Sequence, residues 1–121
     1  MKSLNRNVKE VSFNIVDQEW IIQVVDSHDP HMVADGTVCR GCTWVGQSAI
    51  YMSNELTERT FKRVLLHELV HAYLFATQMS VPDAFNEEQL CDFFAIYSEE
   101  ILDFANKIEQ EFFIDEDNSS I

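Results

Sequence analysis

Near residue 57 the spacing of apolar side chains changes, and the change divides the chain into a strand-rich first half and a helical second half. Across residues 11–25 apolar positions alternate as in a half-buried strand. Trp20, Ile22 and Val24 fall on one side and Ile21, Gln23 and Val25 on the other, although part of the stretch also fits a helix. Residues 27–36 (SHDPHMVADG) are loop formers around Pro30. Residues 37–53 predict a hairpin with arms at 38–45 and 48–53 and a turn at Gly46-Gln47. Its second arm, SAIYMS, sets Ile50 and Met52 on one face against Ala49 and Tyr51 on the other.

From Thr57 the spacing becomes three and four. Thr57 caps a predicted helix over about 57–79, with Glu58 in the first turn where a carboxylate suits the helix dipole. Phe61, Val64, Leu65, Leu69, Ala72 and Ala76 form its apolar stripe. Leu66, Val70, Leu74 and Phe75 widen it, which predicts burial on most sides and an end near Met79-Ser80, before Pro82. A second helix is predicted from Asp83 or Asn86 to about 112, with Leu90, Phe93, Phe94, Tyr97, Ile101, Phe104 and Ile108 as its apolar positions. Cys91 reads as a small core residue.

With 121 residues, 46% of them hydrophobic, the chain fits one domain, placed at 1–114. Only 3 Gly and 2 Pro punctuate it, which calls for long elements and short loops. Residues 1–10 are expected to be loose at the start, and 114–121 (IDEDNSSI) to be a disordered tail, acidic from 115. No signal peptide or spanning segment is legible, so the expected location is the cytoplasm, with Cys39, Cys42 and Cys91 as reduced thiols.

The net charge of −13 argues against nucleic acid and against an anionic membrane surface as partners. It is concentrated. Residues 1–63 carry 7 basic and 8 acidic side chains, whereas residues 64–121 carry Lys107 against 13 acidic ones. The plain reading of that excess is a solvated helix face plus an acidic tail. Some of those carboxylates could instead bind a cation.

His67-Glu68-Leu69-Val70-His71 is an HExxH sequence on the first helix. Side chains at i and i+4 share a face, so the two imidazoles can converge on one ion. Glu68 lies about 100° round the helix and can reach a metal-bound water without ligating the metal. That is the arrangement for a zinc-activated nucleophile beside a general base. The alternative is a pair of core histidines hydrogen-bonded to neighbours. A catalytic zinc has three protein ligands, and the second helix offers Glu88 and Asp92 at i and i+4. Glu88 is read as the third ligand and Asp92 as acceptor of a ligand histidine's other N–H. Glu87 is read as a first-turn carboxylate placed for the dipole.

HELVHAYLFA followed by NEEQLCDFFA resembles the gluzincin pattern of HExxH with a downstream E-x-x-x-D. More closely, with the SAIYMSNELTERTFKRVLLHELVH stretch, residues 36–98 are similar to the small ImmA/IrrE-type and phage- or mobile-element-encoded zinc metallopeptidases. The resemblance implies His67, His71 and Glu88 as ligands of one catalytic Zn²⁺ and Glu68 as the catalytic base. It also implies an α+β fold in which a small antiparallel sheet packs on the two long helices. The activity implied is hydrolysis of a peptide bond in a protein or peptide substrate. The alternative is a non-catalytic zinc-containing protein-interaction module.

Three further features carry chemistry. His28, His31, Cys39 and Cys42 form H-x2-H-x7-C-x2-C, which fits a second, structural zinc or else ordinary small residues in a hairpin. The SAIYMS strand fits either an edge that pairs with an extended peptide or a core strand. Tyr51, Tyr73 and Tyr97 are the tyrosines available to stabilise an oxyanion.

Overall fold

Residues 2–77 and 86–115 are described by a computed structural model of the chain. In chain order the elements are β1 (Lys2–Leu4), β2 (Glu10–Ile15), β3 (Gln18–Val25), β4 (Val33–Ala34), β5 (Thr37–Val38), β6 (Gly41–Trp44), β7 (Ala49–Ser53), α1 (Glu58–Ala76), α2 (Glu87–Phe112) and β8 (Phe113–Asp115). The molecule is α+β, with a mixed sheet and two helices.

The stretch 11–25 is two strands, β2 and β3, joined by a two-residue turn. Val16 and Asp17 both take positive φ, +47° and +66°, the sense that matches the twist of a hairpin. A β-branched residue rarely adopts that backbone, so the turn has no Asn-Gly signature to betray it.

The main sheet runs β2-β3-β7-β6. Its β3–β7 pair is parallel, with Ile22 beside Ile50, and its other pairs are antiparallel. The expected antiparallel sheet is therefore mixed. The cause is the connection from β3: it forms the β4–β5 ladder and then the edge strand β6, and the predicted hairpin β6–β7 brings β7 back along β3 in the same direction. β7 lies between β3 and β6 with all five residues buried, so it is a core strand and not a peptide-pairing edge.

The alternation read from the sequence sorts the two faces. Phe13, Ile15, Trp20, Ile22, Ile50 and Met52 face the helices, whereas Ala49 and Tyr51 pack with Met32 on the opposite face.

Thr57 caps α1 by accepting from the Thr60 N–H, and Asn86 and Gln89 form a reciprocal capping box on α2. Phe61, Leu65, Leu69, Ala72 and Tyr73 of α1 are buried, but Val70 and Phe75 are exposed. Burial of α1 on most sides is thus corrected to a single broad face; the other side is open because α2 and the sheet together cover only part of the cylinder. Helix α1 ends at Ala76 with Thr77 as cap, and the expected boundary residues Met79, Ser80, Pro82 and Asp83 lie outside the described residues.

Tyr73 meets Tyr97 and Glu100, while Phe61 and Lys62 meet Phe112 and Glu109, so the helices are antiparallel. That alignment carries the N-terminal end of α2 past the end of α1 by about two turns. Leu90 and Phe94, two of the apolar positions expected for this helix, sit on this overhang and are exposed, as is Cys91, contrary to its reading as a small core residue. The ends are also more ordered than the composition suggests. β1 pairs with β8, so Lys2–Leu4 and Phe113–Asp115 close a two-stranded ladder. The tail expectation loses Ile114 and Asp115, and residues 116–121 lie outside the described residues. Among the described residues no helix is long and apolar enough to cross a membrane.

Candidate functional site

The site is built where edge strand β6 crosses α1. Gly41 makes the approach possible: a Cβ there would stand 2.5 Å from Val64 Cγ1, 3.1 Å from Glu68 Cγ and 3.2 Å from Met52 Sδ. Any side chain would push the strand off the helix, because the crowding Val64 is itself β-branched and stiff.

Two residues on, Thr43 Oγ1 lies 2.8 Å from Glu68 Oε1 and 3.2 Å from the Glu68 carbonyl oxygen. A hydroxyl has one proton to donate, and the shorter contact gives it to the carboxylate. Glu68 is only 7% exposed, and a carboxylate so placed needs such a partner. Its other oxygen, Oε2, lies 3.9 Å from His67 Nε2. Thr43 is a candidate site residue absent from the expectations drawn from the sequence. Nothing local marks it, since its role arises only when β6 packs on a helix 25 residues away.

His67 and His71 are exposed, the His67 side chain by 70%, so neither is a core histidine. Their Nε2 atoms are 3.3 Å apart and their rings nearly perpendicular. The pair can share one N–H···N bond. Two nitrogens bound to one tetrahedral zinc at about 2.05 Å would also stand roughly 3.3 Å apart. The donor set, two imidazoles on one helix face with the observed spacing, fits two positions of a zinc site.

Glu88 and Asp92 are exposed on the α2 overhang, and the structure does not bring them to the histidine pair. Among the described residues no three His, Cys, Asp or Glu side chains converge as a metal-binding group. Glu87 lies in the first turn of α2, as its dipole reading requires.

The glutamate stands between two clefts. One, about 450 Å³, is lined by Cys42, Val45, His71, Leu74 and Phe75. The other, about 320 Å³, is lined by Arg40, Arg63, Val64 and His67. Gly41 and Glu68 line both. Cys42 stays a thiol: burial first, then the charges of Cys39 and Glu68, push its pKa up.

The other candidates lie elsewhere. The Tyr73 hydroxyl is 2.9 Å from Glu100 Oε1 and donates to it, and burial together with that bond pushes its pKa far up. Tyr51 donates to Gln47 on the opposite sheet face, 2.8 Å away. Tyr97 packs against Tyr73 and Phe93 between the helices. His31 stacks on Tyr51 and meets Asp29 Oδ1 at 2.7 Å, while His28 contacts Ser27 and Asp26. The backbone N–H of His31, and then its ring, hold the Asp29 carboxyl below its ordinary value. Cys39 and Cys42 are free thiols. Compared with models of protein families, with curated proteins and with solved structures, the chain matches none.

Proposed function

We propose that the chain is a zinc-dependent peptidase. The observation that carries this reading is the buried Glu68 carboxylate, held by Thr43 on a residue that lines one cleft with His67 and another with His71, the two histidine nitrogens being 3.3 Å apart. His67 and His71 would hold the metal. Glu88 is the proposed third ligand on the strength of its spacing to the HExxH, and its ligation requires the first turns of α2 to move from their place in the structure.

When bound, zinc supplies Lewis-acid chemistry, lowering the pKa of water and polarising a carbonyl. The protein's own groups divide the remaining work. Thr43 fixes Oε1 of Glu68, which leaves Oε2 free to take a proton from the attacking water and return it to the leaving amine. Among the described residues no strand pairs with the outer edge of β6, and an extended peptide can pair there. A metal site with a purely structural role has no use for a carboxylate buried at this position.

Digestion of a mixed peptide library, read by mass spectrometry, tests the proposal. The wild-type chain should cleave, and Glu68→Gln should keep its zinc while losing about 10²–10⁴-fold in rate. Equal cleavage by wild type and Glu68→Gln, or none by either, overturns it.

A further inference from the structure

The cleft on the His67 side of Glu68 has an unusual charge for this protein. The chain has 8 Lys and Arg against 21 Asp and Glu, yet two arginines face this one space. Arg40 enters from the residue before β6 and Arg63 from α1, one turn before His67. Lys2, Lys62 and Lys107 each lie near a carboxylate. Among the described residues the guanidinium groups of Arg40 and Arg63 have neither an ion pair nor a hydrogen bond. The cleft's one acid, Glu68, already accepts from Thr43. Two guanidinium groups without a protein partner on one cleft attract an anion, and their planar forks match a carboxylate.

We propose that Arg40 and Arg63 form a subsite for a carboxylate of the peptide substrate. The cleft on the other side of Glu68, walled by Val45, Leu74 and Phe75, then receives an apolar side chain. The preferred sequence pairs an acidic residue with a bulky apolar one across the bond that faces Glu68. This inference rests on the peptidase reading and adds the substrate class to it. The carboxylate could be an Asp or Glu side chain or the C-terminus of the peptide.

A chain of 14.0 kDa suits backbone-amide NMR titration. The probes are the hexapeptides Ala-Ala-Glu-Leu-Ala-Ala and Ala-Ala-Leu-Glu-Ala-Ala, their Gln counterparts, and each of these with a free or amidated C-terminus. With the full chain, one Glu peptide should shift the amides around residues 40–41 and 63–67 and bind about tenfold more tightly than its Gln counterpart. If instead only the free C-terminus gives the preference, the carboxylate comes from the chain end. Arg40→Gln and Arg63→Gln should each reduce the preference, and Arg63→Lys should restore part of it. No preference for either carboxylate, or a preference that survives both Gln variants, overturns the subsite. Weighing the recovered peptides reports cleavage separately: binding preference without cleavage keeps the subsite and removes the peptidase reading, and cleavage without preference does the reverse.

Discussion

Glu68 meets two demands that usually conflict. It is buried enough to need a fixed hydrogen bond, and it still lines two clefts. Thr43 reconciles them by occupying Oε1 alone. Replacing Thr43 with the near-isosteric Val removes the hydroxyl and keeps the shape. The expected result is a fall of about ten- to a hundredfold in kcat with KM little changed, since one charge-assisted hydrogen bond is worth roughly 1.5–3 kcal/mol and each 1.36 kcal/mol is tenfold in rate. Zinc content should not change, and Thr43→Ser should recover most of the rate. Steady-state kinetics on any cleaved peptide checks this. A rise in KM alone would place Thr43 in substrate binding instead. Residue identity and spacing are enough to make His67, Glu68 and His71 legible in the sequence, because all three roles are set on one helix. Thr43, Arg40 and Arg63 are not legible there, because their roles follow from which strand lands on which helix.

Among the elements, the contact that decides the site is β6 on α1, and Gly41 sets its closeness. Gly41→Ala should destabilise the fold by about 1–3 kcal/mol through overpacking against Val64. Adding Val64→Ala should recover much of that loss, because the double variant removes the atom that clashes. Thermal unfolding of the three variants checks the coupling; additive losses would show that the Cβ meets nothing rigid. The two helices and the β6–β7 hairpin are readable from apolar spacing and from the caps at Thr57 and Asn86. The β2–β3 turn is not, since Val16 and Asp17 are unusual carriers of positive φ. The parallel β3–β7 pair and the β1–β8 ladder are equally hidden, because long-range pairing leaves little trace in local sequence.

For the molecule as a whole, the acidity of residues 64–121 suggests three carboxylates gathered at a metal inside the fold. In the structure one of them, Glu68, is inside, and Glu88 and Asp92 are on the surface of α2. The acidic excess is therefore chiefly a solvated helical surface, and the cleft on the His67 side of Glu68 is distinguished by two arginines. This arrangement sharpens the central claim to the pair His67 and His71. Both side chains are exposed, so replacing them should leave the fold intact and isolate the metal. The most direct measurement is zinc content by elemental analysis, on protein purified without added metal. The wild-type chain should hold about one zinc, as a single catalytic site requires. His67→Ala and His71→Ala should each lose it and melt at the temperature of the metal-stripped wild-type chain, below that of the zinc-bound form. A wild-type chain that takes up no zinc, or zinc retained in full by both variants, would contradict the account.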